Sequence, residues 1–294
     1  MAKKTKFALA AILATSTAAF AAWNDPQQPF NVYGNTWYVG TRELSAILIT
    51  SPQGHVLLDG AIPESAPMIE RNIRALGFRI EDVKLILNSH AHVDHAGGIA
   101  ALQRASGAIV ATSAHGAQVL RDGTIGKDDP QFATAKPFFF PKVAHVKAVG
   151  DGQVLKAGAI SVTAHMTPGH TPGSTSWTWQ SCDGAKCLDV VYADSLTAVS
   201  EGDYRYSGGK GAPDVSKLFK ASIDKIGGLN CDVLLTTHPG ASGMMDKRAA
   251  KTAANNTFID AGACRDLASR ANAALAARLA TEQGEKSASV YSRN

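Results

Sequence analysis

Lys84-Leu85-Ile86-Leu87-Asn88-Ser89-His90-Ala91-His92-Val93-Asp94-His95-Ala96-Gly97-Gly98 sets an apolar run directly before three histidines and a carboxylate held within six residues. The run reads as a buried strand, so these polar side chains stand at its C-terminal end, the edge where sites collect in sheets flanked by helices. Side chains alternate along extended chain, which puts His90 and His92 on one side, joined by Asp94 if the backbone stays extended. His95 points away unless the chain turns, and Ala96-Gly97-Gly98 predicts such a turn. Neutral imidazole nitrogen and anionic oxygen at this density form the donor set of a metal site rather than of a polar loop. His90 and His92 can share one ion, and the turn can aim Asp94 and His95 at a second.

Working outward, Trp37-Tyr38-Val39-Gly40, Ala46-Ile47-Leu48-Ile49-Thr50 and Val56-Leu57-Leu58-Asp59 read as antiparallel strands, the last two separated by Ser51-Pro52-Gln53-Gly54. Ile69, Ile73 and Leu76 have helical spacing between Pro63-Glu64 and Gly77, so a helix feeds the strand that ends at Asn88. The second half repeats the theme with strands at Ile160–Ala164, Thr175–Trp179 and Leu188–Tyr192. A helix over about Val215–Ile226 then leads into Asp232–Thr236, another strand that runs towards a histidine. This alternation implies an α/β protein of two sheet halves with helices outside. Asp246 to about Ala280 is alanine-rich and predicts one or two helices broken near Gly262, followed by a frayed polar tail from Thr281 to Asn294.

A first site of four donors cannot saturate two ions. Two more histidines sit at strand exits in turn-forming sequence: His170 in Thr167-Pro168-Gly169-His170-Thr171-Pro172-Gly173, and His238 before Pro239-Gly240. Both are assigned to the metal site. His55, His115, His145 and His165 lack that setting and are read as structural or exposed.

Composition bounds the class. With 294 residues, 45% hydrophobic and 18% charged, the chain can bury a substantial core and is not disordered. Lys3, Lys4 and Lys6 precede an apolar, charge-free run from Phe7 to Phe20, and Ala19-Phe20-Ala21 offers small residues for cleavage, which predicts a secretory signal over residues 1–21. The run is shorter than the roughly 20 residues a membrane anchor needs. Loss of the three lysines takes the formal charge from +4 to +1, a balance that argues against a nucleic-acid partner. Cysteines of an exported chain are free to pair. Four allow three pairings; Cys182 and Cys187 flank a turn-like Asp183-Gly184-Ala185-Lys186, leaving Cys231 and Cys264 to each other. The spacing does not suit thiolate ligation of zinc.

At these residues the chain resembles the metallo-β-lactamase superfamily: His90, His92, Asp94 and His95 fit its H-x-H-x-D-H pattern, and His170 and His238 fit its later histidines. The resemblance extends from about Trp23 to Arg265, through Asn35-Thr36, Leu57-Leu58-Asp59-Gly60, Pro168 to Ser174 and Tyr192-Ala193-Asp194-Ser195-Leu196, and is greatest to the third subclass of true β-lactamases. It implies an αββα sandwich, two mixed β-sheets with helices on the outer faces, as a single catalytic domain over residues 22–294. It implies two zinc ions, one on His90, His92 and His170, the other on Asp94, His95 and His238. Ser195 stands where the first subclass has a cysteine, and Ser195 and Thr197 would hold the substrate carboxylate. Asp59 resembles an acid that supports the ligands from behind.

The implied reaction is hydrolysis of the lactam amide of penicillins, cephalosporins and carbapenems, conferring antibiotic resistance, by a hydroxide shared between the metals and oriented by Asp94. A periplasmic monomer acting on a small molecule is expected. Trp37 is either a substrate contact or filling for the hairpin core. Phe138-Phe139-Phe140 is either a lid, with Phe138 on the substrate, or ordinary packing. Two alternatives stand beside the lactamase. One is a thioesterase resembling glyoxalase II, or a lactonase, in which Asp194 would bridge both metals. The other is a non-catalytic periplasmic zinc-binding protein.

Overall fold

The computed structural model describes residues 23–132, 139–209 and 212–291, so the expected signal segment and Phe138 lie outside the described residues. In chain order the elements begin with β1 (Phe30–Tyr33), β2 (Thr36–Tyr38), β3 (Ile47–Ile49) and β4 (His55–Leu58). A 3-10 turn over Pro63–Ser65 then enters α1 (Ala66–Ala75), followed by β5 (Val83–Leu87), α2 (Val93–Ala96), α3 (Ile99–Ser106), β6 (Ile109–Ser113) and α4 (Ala114–Asp122). The second half holds β7 (Val146–Val149), β8 (Val154–Ala157), β9 (Ile160–Met166), β10 (Thr175–Asp183) and β11 (Lys186–Ala193). It closes with α5 (Ser216–Gly227), β12 (Val233–Thr236), α6 (Met244–Ala250) and α7 (Ala263–Tyr291).

Seven strands form one sheet in the order β1 to β7, antiparallel through β4 and parallel from β4 to β7. Five form the other in the order β12-β11-β10-β9-β8, antiparallel except where β11 meets β12. Period-two patterning sorts the side chains between layers. Val56, Leu58, Leu85 and Leu87 face the second sheet and meet Val162, Trp177, Val190, Tyr192 and Val233 in a shared core. Leu57 and Ile86, one residue out of phase, face the opposite way onto Ile69, Ile73, Ile99 and Leu120 of the helices. On the far side Val191, Ala193 and Leu234 pack on Phe219, Ile223, Leu267 and Leu275. The result is the four-layer αββα arrangement with two mixed sheets.

The strands expected at Trp37, Ala46, Val56, Lys84, Ile160, Thr175, Leu188 and Asp232 all form. Missing from that expectation are β1, β6, β7 and β8, whose segments are short; in β7 only the two end residues are buried, which erases the alternating signal. The C-terminal tail departs from its expected fraying, because α7 continues to Tyr291. Glu282 explains part of the extension: its buried carboxylate accepts the backbone N–H of Tyr206 (3.0 Å) and Ser207 (2.9 Å) and the Arg278 Nε–H (2.9 Å).

Cys182 pairs with Cys187 across the β10–β11 register, and Cys231 with Cys264, tying the start of β12 to α7. Sequence separations of 5 and 33 residues make the second bond the larger constraint on the unfolded chain. By loop-closure entropy it is worth roughly 3–4 kcal/mol against about 2 kcal/mol for the hairpin bond. Urea unfolding of Cys231→Ala/Cys264→Ala and Cys182→Ala/Cys187→Ala double variants should therefore rank in that order, and equal losses would contradict the assignment.

Candidate metal centre

The backbone stays extended only as far as His92, which precedes the single helical turn α2. The chain therefore turns at Val93, three residues ahead of the expected Ala96-Gly97-Gly98, and Asp94 and His95 are delivered by helical rather than strand geometry. The glycines serve a different end. A Cβ on Gly98 would run into the Gly60 carbonyl oxygen, so their lack of side chain lets the ligand turn press on the β4 exit. Gly60 N–H donates to His95 O (2.8 Å) and Gly98 N–H to Ala61 O (3.1 Å), fixing the contact.

His90, His92 and His170 offer ring nitrogens that all lie within 4.8 Å of one another, as do the donor atoms of His90, Asp94 and His95. His238 completes a tighter triangle: Asp94 Oδ2 is 3.2 Å from His95 Nε2 and 3.3 Å from His238 Nε2, and the two nitrogens are 3.2 Å apart. A tetrahedral ion with bonds of about 2.0 Å has ligand-to-ligand edges of about 3.3 Å, so this triangle already has the dimensions of a zinc site. Every residue of the expected ligand set is thus brought together, from the β5 exit, the loop before β10 and the β12 exit.

Hydrogen bonds on the remote ring nitrogens decide which nitrogen faces inward. His90 Nδ1 meets Asp194 Oδ1 at 2.6 Å, leaving Nε2 buried without a partner among the described residues. His92 Nε2 is held by both carboxylate oxygens of Asp129 at 3.0 and 3.2 Å, which frees Nδ1. His170 Nδ1–H donates to Thr197 O at 3.0 Å, with the Thr197 hydroxyl 3.1 Å away, which frees Nε2. Behind His95, Asp59 Oδ2 stands 4.0 Å from Nδ1. An unpartnered buried imidazole nitrogen is costly unless something binds it. The donor set of five nitrogens and one carboxylate oxygen fits zinc.

Burial first, then the positive character of His95 and His92, holds His90 well below the ordinary histidine range, and burial with neighbouring His90 brings His170 down to about 3. Both are neutral at pH 7, as ligands must be. Burial works against ionisation of Asp94, but His95 and His238 outweigh it and keep the carboxyl well below its usual value. His95 is likewise opposed by burial, yet Asp94, then Asp59 and Asp194, lift it to about 9.

A cavity of about 810 Å³ opens over these residues, lined by His92, Asp94, His170 and His238 at its floor. Ser195 and Thr197 are in its wall, with Ser195 Oγ 3.0 Å from Thr237 Oγ1. Trp37 does not line it: the ring is half-buried in the hairpin core, 6.1 Å from that of Phe78. Among the described residues, the Trp, Tyr or Phe side chain at the cavity is Trp23. Of the Phe triplet, Phe140 is packing, buried under the helices with its N–H on Gly123 O (3.0 Å), and Phe139 is exposed; neither lines the cavity. His55, His115, His145 and His165 all fall outside the centre, His115 on Asp128 (2.8 Å) and His165 on Thr178 (2.8 Å). Asp129 was invisible in the sequence, where Lys127-Asp128-Asp129-Pro130 looks like any charged turn. The α7 wall, Leu267, Arg270, Ala271, Ala274 and Arg278, was equally so.

Residues 39–238 match the metallo-beta-lactamase superfamily. The fold superposes with a TM-score of 0.86 on MEM-A1, a subclass B3 metallo-beta-lactamase isolated from a soil metagenome library, at 50% identity, covering 90% of this chain and 99% of that one. Rm3 metallo-beta-lactamase is similar at a TM-score of 0.87 and 49% identity, covering 90% of this chain and 98% of that chain. In sequence, 142 residues are 30% identical to a hydroxyacylglutathione hydrolase of Bradyrhizobium sp. (strain ORS 278), covering 48% of this chain and 46% of that protein. The chain spans about half the length of the curated relatives it matches.

Proposed function

The chain belongs to the metallo-beta-lactamase superfamily, and on that premise we propose that it is a zinc-dependent hydrolase that opens the amide bond of β-lactams, carbapenems included, and so confers antibiotic resistance. The observation that carries the reading is the pair of adjacent donor groups beneath one cavity: His90, His92 and His170 for a first ion, Asp94, His95 and His238 for a second, with His92, Asp94, His170 and His238 open to the cavity. Bound zinc would supply Lewis acidity and a water ionised near neutral pH.

The protein's own part is positioning. Asp194, Asp129 and Thr197 fix the ring planes of His90, His92 and His170, so the inward nitrogens need no rearrangement on binding. Asp94 Oδ2 is engaged with His95 and His238, while Oδ1 has no part in that triangle and is the acceptor we assign to orienting the attacking water. Leu196, Ala198, Val199, Leu267 and Ala271 form an apolar wall that receives the body of an amphipathic substrate and limits water near the reacting carbonyl.

Asp194 bears on the thioesterase alternative, since that reading needs its carboxylate as a bridge between metals. Here Oδ1 is committed to His90 Nδ1 and Oδ2 is buried without a partner among the described residues, so the support for the lactamase comes from the likeness to MEM-A1 and Rm3. Two disulfides support residence in an oxidising compartment, and we assign the chain to the periplasm, as a monomer with residues 1–21 as its cleaved signal and residues 22–294 as one domain. No helix among the described residues is long and apolar enough to cross a membrane.

The test is turnover of nitrocefin, a penicillin, a cephalosporin and a carbapenem beside a hydroxyacylglutathione thioester, before and after chelation and with zinc restored. Zinc-dependent opening of the β-lactams is expected. Thioester cleavage alone would install the thioesterase reading, and zinc uptake without turnover of either class would leave a binding protein.

A further inference from the structure

The α7 wall presents two cations to the cavity, and they are not equivalent. Arg278 is engaged: Nε–H donates to Glu282 Oε1 (2.9 Å), Nη2 to Ser200 Oγ (2.6 Å) and Tyr204 O (3.2 Å), and its guanidinium lies over the Tyr206 ring at 5.9 Å. Arg270, two helical turns earlier on the same face of α7, is exposed and lines the cavity. Its one hydrogen bond among the described residues is a long one, Nη2 to Ala241 O at 3.4 Å. Ala241 belongs to the turn that begins at His238, with Ala241 N–H donating to His238 O at 3.1 Å. The guanidinium of Arg270 therefore stands on the Asp94, His95 and His238 side of the cavity, not on the His170 side.

We propose that Arg270 is a specificity-determining residue that pairs with the carboxylate borne next to the lactam nitrogen of the substrate. The inference rests on the β-lactamase reading of the site. In penicillins, cephalosporins and carbapenems the anionic group sits one carbon from the nitrogen that is released as the ring opens. A substrate whose nitrogen lies over the Asp94, His95 and His238 group carries its carboxylate towards the His238 turn, where Arg270 waits. The hydroxyls expected for this role are partly spent. Ser195 and Thr237 bond one another, which leaves that pair a single O–H to give, and Thr197 Oγ1 accepts from His170 Nδ1–H and keeps one O–H of its own. Neutral hydroxyls bring no charge to a carboxylate entering an apolar-walled cavity, whereas a guanidinium supplies two parallel N–H groups and the opposing charge.

The experiment compares a β-lactam acid with its methyl ester on wild-type, Arg270→Ala and Arg270→Lys protein, with zinc content and melting temperature measured for each. The alanine variant should lose about 10- to 100-fold in kcat/KM on the acid, mainly through KM, and stay within about twofold of wild type on the ester. Lysine should recover part of the loss, and added salt should narrow the difference between wild type and the alanine variant. A purely structural role would depress acid and ester together. Equal effects on the two substrates, or no effect on either, overturn the assignment of Arg270 while leaving the lactamase reading intact. A wild-type protein that opens neither substrate overturns both.

Discussion

His90→Ala is expected to reduce β-lactam turnover by about a thousandfold or more, roughly 4 kcal/mol of transition-state stabilisation. A donor nitrogen of His90 lies within 4.8 Å of those of His92 and His170 and, equally, of the donor atoms of Asp94 and His95, and its Nε2 is buried without a partner among the described residues. Its removal takes a nitrogen from the first group and strands Asp194, whose Oδ1 it holds at 2.6 Å. Burial already pushes the Asp194 carboxyl up, so the stranded acid can take a proton and remain buried, and the fold should survive with a modest loss. Zinc per chain after dialysis should fall in step with activity. His165→Ala is the control: His165 bonds Thr178 on the outer face of the second sheet, and activity should change by less than about twofold. A His90→Ala protein retaining full zinc and a tenth or more of the activity would remove the two-group site as the seat of catalysis.

What the sequence disclosed follows from where the information is stored. The identity of candidate donors is local, so His90, His92, Asp94 and His95 were legible as a cluster, and the turn chemistry around His170 and His238 marked them as presented side chains. The layers were legible wherever period-two patterning spans a whole strand, as at Leu57 and Leu58, whose side chains enter different cores. Ring orientation is not local. It depends on Asp129, 37 residues from His92, and on Asp194, 104 residues from His90, and nothing in Lys127-Asp128-Asp129-Pro130 distinguishes a carboxylate that supports a ligand from one that meets water. The place of the turn is hidden for a related reason: Ala96-Gly97-Gly98 looks like a bend, whereas its glycines admit the β4 exit and the bend starts at Val93. Trp37 and Trp23 show the same limit. Both are aromatic and both could fill a core, and only the packing sends one to Phe78 and the other to the cavity.

Asp59→Ala should destabilise the protein by about 4 kcal/mol or more, lowering the melting temperature by roughly 10 °C, because its fully buried carboxylate is the common acceptor for four donors. Oδ1 takes the Asn88 Nδ2–H (3.0 Å) and the Ser89 N–H (2.8 Å), while Oδ2 takes the Ser89 hydroxyl (2.7 Å) and the Tyr192 hydroxyl (2.7 Å). These donors come from the residues just ahead of His90 and from β11, so one side chain bolts the ligand strand to the second sheet. Alanine would leave four buried donors to find water or each other. A second cost is conformational, since Asp59 sits at φ 59°, a region alanine adopts less readily than asparagine or glycine. Asp59→Gly separates the two: it relieves the backbone and still removes the acceptor. If the hydrogen bonds dominate, glycine and alanine variants will fall within about 1 kcal/mol of each other, and asparagine, with one acceptor oxygen kept, will lie between them and wild type. A glycine variant close to wild type would mean instead that the strained backbone, and not the carboxylate, governs this corner of the fold.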